Sequence, residues 1–106
     1  MEILLTGRWL DANEAHRWGF VNEIVPQEQL MQRAWDVARL IESGPPLVYA
    51  AIKEVVREAE NMKFIDALQK ITRSEFPTVK TLYNSEDQLE GARAFAEKRD
   101  PVWRGK

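Results

Sequence analysis

Proton transfer, metal binding and nucleophilic attack each need particular side chains at particular spacings, and this chain offers few of them. His16 is the only histidine. It stands beside Arg17 and Trp18, where general-base work would require both a partner and a pocket; a solvated or structural role requires neither. Glu14, Glu54, Glu58 and Glu60 fit helix solvation and ion pairing, while Glu86, Asp87 and Glu90 crowd a helix start, where negative charge is favourable. None of these makes an acid/base pair. The absence of cysteine excludes a disulfide framework and thiolate metal sites, and no other metal-ligand spacing occurs. Neither a phosphate-cradling glycine loop nor a nucleophile elbow is present. Four tryptophans and two tyrosines could cage a quaternary ammonium group, yet Trp9, Trp18 and Trp35 fall on separate elements, as packing anchors do. The sequence therefore reads as lacking an active site of its own.

What it does hold is a distinctive last stretch, Ser85 to Lys106, SEDQLEGARAFAEKRDPVWRGK. Ser85 with Gln88 three residues on is a capping box, which fixes a helix start. Glu86 and Asp87 then sit at the positive end of the helix dipole, Lys98 and Arg99 sit at its negative end, and Asp100-Pro101 stops the helix. Leu89, Ala92, Phe95 and Ala96 fall on one face, which the pattern predicts to be apolar. Gly91 and Ala94 add places where another backbone can come close.

The elements leading there are mostly helical. Met1 to Leu5 is apolar without a capping residue, as though the chain opened inside a helix, and Thr6-Gly7 ends it. Asp11 and Glu14 cap a short helix through Trp18, with Gly19 as its C-cap. Phe20 to Val25 is rich in β-formers and closed by Pro26, which predicts one short strand, although no other segment supplies a pairing partner. From Gln27 onward, Leu30, Ala34, Val37, Ala38 and Ile41 recur at helical spacing until Ser43-Gly44-Pro45-Pro46 breaks the run. Val48, Ala51, Ile52, Val55, Val56 and Ala59 draw the next stripe, with Lys53, Glu54, Arg57 and Glu58 largely opposite. Phe64, Ile65, Leu68 and Ile71 form another. Pro77 predicts a kink or break before Thr78 to Tyr83.

The totals suit one modest domain. The chain has 106 residues, 44% of them hydrophobic, and 15 basic against 17 acidic residues give a formal charge of −2. No general basic field argues for nucleic acid. No apolar run approaches a membrane span. The lack of cysteine and of a secretory signal pattern suits a cytoplasmic protein.

Two stretches carry a family resemblance. Ser85 to Lys106, in the form SEDxxEGxxAFxEKRxPxWxGK, resembles the closing helix of the crotonase superfamily, also called the enoyl-CoA hydratase/isomerase family. Thr6 to Pro26 is similar, nearly position by position, to that family's TGxxxDAxEAxxxGxVNxVVP, which joins a catalytic spiral domain to C-terminal helices. The resemblance implies a mainly α chain, the C-terminal helical segment of a crotonase-type fold with one short β-strand near the N-terminus. Residues 1–26 would close the spiral domain, and residues 27–106 would form a helical assembly region.

The resemblance also implies a function. Its members act on coenzyme A thioesters without a prosthetic group, and the nearest activity is addition or removal of water across the α,β bond. Isomerases and thioester hydrolases share the same tail. Members assemble as trimers or as hexamers of paired trimers, and the last helix lies beside the adenine and phosphates of coenzyme A, often that of a neighbouring subunit. Phe95 is thereby implied as an adenine contact and Lys98 as a phosphate contact. Both residues keep plainer readings, Phe95 as ordinary core and Lys98 as a cation suited to a helix C-terminus. Lys80 and Tyr83 stand close enough in sequence to approach the same ligand, although many relatives carry a further aromatic where Val79 and Lys80 stand. The family's acidic residues and oxyanion-binding amides belong to the spiral domain, so this chain alone is expected to be inactive. The uncapped start and unpartnered strand agree with a fragment. A free-standing helical interaction module is the alternative.

Overall fold

Seven α-helices and one turn of 3₁₀ helix make up the regular structure of residues 1–106 in the computed structural model. The chain divides into two compact units, residues 1–40 and residues 41–106. No helix is long and apolar enough to cross a membrane.

In the first unit α1 (Glu2–Thr6) ends at Gly7, whose φ of 63° lies in the left-handed region that favours glycine. Asp11 caps α2 (Ala12–Arg17) by accepting from the Glu14 amide at 2.8 Å. Gly19, with φ 78°, closes that helix: its N–H reaches the His16 carbonyl, and the Phe20 N–H reaches that of Ala15. This pair of bonds is a Schellman motif. Arg8 ties the two helices together. Its guanidinium meets Glu14 through two bonds of 2.7 and 2.9 Å, meets Glu2 at 2.9 Å, and lies 5.4 Å from the Trp18 ring centre. The Arg8 hydrogen bonds hold the Glu14 carboxyl below the usual carboxylate range. Glu14 is thus a structural ion-pair partner as well as a first-turn acid.

The strand expected over Phe20–Val25 does not form. Phe20 to Asn22 bend, and the backbone then runs irregularly to Pro26. A strand's amides and carbonyls need a neighbouring strand, and the structure contains none. The Phe20 N–H is instead spent on the helix end, and Phe20 and Ile24 stay exposed. A 3₁₀ turn (Gln27–Gln29) then leads into α3 (Leu30–Glu42), and Arg33 pairs with Glu23 at 2.7 Å. No residue of 1–40 is buried.

The second unit holds the core. Pro46 starts α4 (Pro46–Ala59), α5 runs over Phe64–Thr72, and Pro77 starts α6 (Pro77–Tyr83), so the break before Pro77 is real. The apolar stripe of α4 is only partly used. Ala51 is buried against Phe76 and Val79, with Val55, Met62, Ile71 and Leu82 packed around them, whereas Ile52 and Val56 remain exposed. On α5 the buried residue is Ala67, and Phe64, Ile65 and Leu68 face outward. Glu54, read from sequence as part of a solvated face, accepts from both the amide and the hydroxyl of Thr78 and so caps α6 from α4. Those two donors hold its carboxyl below the ordinary range.

Candidate functional site

The last helix, α7 (Glu86–Glu97), starts where its capping residues dictate. Ser85 Oγ accepts from the Gln88 amide at 3.1 Å. The reciprocal half of the capping box is replaced, because the Ser85 N–H donates to the Leu82 carbonyl. The next free amides, those of Glu86 and Asp87, both donate to the main-chain oxygen of Lys106 at 2.8 and 3.1 Å. The chain end thus returns to the start of its own final helix.

That return decides which face of α7 is buried. The stripe Leu89–Ala92–Phe95–Ala96, expected to be the apolar packing face, is exposed throughout. Asp87 and Ala94 are the buried residues of α7, and a Cβ on Gly91 would lie 3.2 Å from Trp103 Cη2. The reason is polar. Asp87, only 3% exposed, accepts from the amides of Arg104 and Gly105 at 2.7 and 2.8 Å. Glu90 accepts from the Val102 amide at 2.9 Å and from both terminal nitrogens of Arg99 at 2.6 and 2.9 Å. Charged acceptors on backbone donors make strong hydrogen bonds, and these hold the tail against the face that carries Asp87 and Glu90.

Arg99, with help from the Val102 amide, brings the Glu90 carboxyl down to about 2. Arg99 also bonds Glu97 through Nε at 2.6 Å. Residues 99–106 are therefore a strap along α7, fastened at three levels: Glu90, Asp87 and the helix N-terminus. Trp103 lines a mostly apolar groove of about 330 Å³ with Pro45, Val48, Leu82, Tyr83 and Gly91.

The two residues implied as ligand contacts stand on the last turn of α7. Phe95 is 88% exposed and so takes no part in this chain's own core. Lys98 is exposed and closes the helix in the left-handed conformation, φ 54° and ψ 41°. Its N–H reaches the Phe95 carbonyl at 3.3 Å, and the Arg99 N–H reaches that of Ala94 at 3.1 Å, again a Schellman motif. The pair is thus brought together on one helix end, an apolar ring and an ammonium without a protein partner. A flat ring can pack on a purine and an ammonium can pair with phosphate. Lys80 is exposed, and Tyr83 belongs to the Trp103 groove. His16 is exposed in the last turn of α2 and meets no carboxylate.

Nothing in the sequence ties Asp87, Glu90 and Arg99 to the tail, because the helix dipole already accounts for acids at one end of α7 and a cation at the other. A length argument points to them. Seven extended residues from Asp100 reach about 23 Å, and a twelve-residue helix is about 18 Å long. The tail is long enough to run back to residues 87 and 90, which lie three apart on one face.

The sequence model of the enoyl-CoA hydratase/isomerase family matches residues 1–106. A carnitinyl-CoA dehydratase of Citrobacter koseri is 43% identical over 105 residues, covering 99% of this chain and 40% of that protein. That of Salmonella typhimurium is 42% identical with the same coverage. Among solved structures, an enoyl-CoA hydratase from Bacillus anthracis superposes with a TM-score of 0.82 at 30% identity, over 99% of this chain and 39% of its own. An enoyl-CoA hydratase from Mycobacterium tuberculosis gives 0.81 at 32% identity, over 100% and 40%. The chain thus spans 40% of the length of the curated relatives it matches.

Proposed function

The chain belongs to the enoyl-CoA hydratase/isomerase family, and from that premise we propose that it is the C-terminal part of an acyl-CoA hydratase or dehydratase, one that interconverts carnitinyl-CoA and crotonobetainyl-CoA. Identity of 42–43% to carnitinyl-CoA dehydratases over nearly the whole chain supports the substrate assignment. In this reading residues 1–26 close the catalytic domain, and residues 27–106 serve oligomer assembly, as a trimer or hexamer, and coenzyme A binding. Water is added or removed by acidic residues and backbone amides of the rest of the enzyme, since none of the carboxylates here forms an acid/base pair. A cytoplasmic location accords with a soluble thioester substrate.

The observation that carries the binding role is the last turn of α7. An 88% exposed phenylalanine beside an unpaired lysine has no function in this chain's own packing. Phe95 would hold the adenine, and Lys98 the phosphates. Titrating coenzyme A into the protein and its Lys98→Ala variant tests this. A charge-assisted hydrogen bond contributes roughly 1.5–3 kcal/mol, so affinity should fall by about 10- to 100-fold. Unchanged affinity rejects the phosphate role.

A further inference from the structure

We propose that Glu90 is a positioning residue for coenzyme A binding, acting through Arg99 to hold the left-handed turn that aims Lys98. The proposal rests on the ligand role of Lys98 given above.

Lys98 occupies a backbone conformation that suits glycine. For an L-residue the left-handed region is disfavoured, so a lysine there persists only where its surroundings hold it. Two main-chain bonds close the turn from the helix side, and the longer of them, at 3.3 Å, is made by Lys98 itself. On the other side stands Arg99, the most heavily fastened side chain of the helix end. Its guanidinium takes both oxygens of Glu90, one oxygen of Glu97, and the Asp100 carbonyl at 3.1 Å. Bidentate pairing fixes direction as well as distance. Glu90 also accepts the Val102 amide, so one carboxylate grips the chain on both sides of Pro101. Lys98 is therefore held between the carbonyls of α7 and the Glu90 anchor.

The anchor matters because of what the conformation controls. A left-handed residue sends its Cα–Cβ bond in a different direction from a helical or extended one. Releasing Arg99 lets Lys98 relax to another backbone conformation, and its side chain then leaves the helix end in a different direction. Glu90 itself need not touch the ligand. Its role is to fix that direction.

A double-mutant cycle tests the proposal. Coenzyme A affinity is measured calorimetrically for the protein, Glu90→Gln, Lys98→Ala and the double variant. Glu90→Gln keeps the shape of the side chain and loses the charged fork; it should weaken binding by about 3- to 10-fold, within the coupling expected inside one ion-pair network. In the Lys98→Ala background the same change should have no further effect. An equal loss in both backgrounds would show a merely structural role and overturn the proposal. So would full affinity in Glu90→Gln while Lys98→Ala binds weakly, an outcome that leaves the ligand reading standing. Unchanged binding in Lys98→Ala removes the reading and the proposal together. Arg99→Lys, which preserves charge without the planar fork, gives the same cycle from the other partner should Glu90→Gln fail to fold.

Discussion

Glu90 makes the structure sensitive to acid at a known place. Its carboxyl titrates at about 2 in the folded chain, below the ordinary value of about 4.3. A lowered carboxylate contributes stability that is complete above its unfolded value and is lost as pH falls through its folded one. The strap should therefore be fully fastened at neutral pH and loosen between about pH 4.5 and 2. The protection factor of the Val102 amide, the exchange rate normalised to its intrinsic rate at each pH and followed by NMR across that range, should fall on acidification. The Glu90→Gln variant should show low protection at neutral pH and no further loss from this group. An acid profile for Val102 identical in both proteins would exclude Glu90 as the anchor. Phe95 teaches the converse lesson about single residues. Its type and helical phase fit a core position equally well, and only the tail's occupation of the adjoining face leaves it outside this chain's own core.

At the scale of elements, helix ends were legible and helix faces much less so. Asp11, Ser85, Gly7, Gly19 and Pro77 mark their boundaries because capping chemistry is local. The strand expected at Phe20–Val25 does not form because β-propensity describes a surface to be packed rather than a backbone preference, and no segment of this chain pairs with it. The faces of α4 and α7 depend on groups distant in sequence: Thr78 for Glu54, and Val102 and Arg104 for Glu90 and Asp87. Periodicity carries no such information. Packing of the strap against α7 rests on Gly91, where an added Cβ would meet Trp103 at 3.2 Å. Gly91→Ala gains up to about 1 kcal/mol of helix propensity and incurs an overpacking penalty of about 1–3 kcal/mol. The penalty should win locally. Faster exchange of the Arg104 and Gly105 amides, with little change in overall melting temperature, is the expected result; unchanged exchange would show that the strap does not depend on this contact.

For the molecule as a whole, every buried residue lies between Ala51 and Ala94. Residues 1–40 form a unit held by helix caps and by Arg8 and Arg33 ion pairs, with Leu4, Leu5, Trp9 and Trp35 exposed. Exposed ion pairs contribute little, and apolar side chains contribute only where they are buried. Hydrogen exchange of this chain in isolation should accordingly show weak protection across α1 to α3 and stronger protection in α4 and α6. Equal protection in both units would mean that the first one is covered, for example by self-association. The family motifs at Thr6–Pro26 and Ser85–Lys106 identified the chain's kin without revealing this imbalance, since burial depends on everything a segment meets.

The seat of Trp103 has an optical consequence. Trp9, Trp18 and Trp35 are exposed, whereas Trp103 is half-buried beside Gly91. With phenylalanine at the other three positions, the remaining indole would be the only tryptophan chromophore, lying in the apolar groove while the strap is closed and entering water when it opens. Its emission would shift to the red on opening, so the fastening of the last turn could be timed by stopped-flow fluorescence without an attached dye.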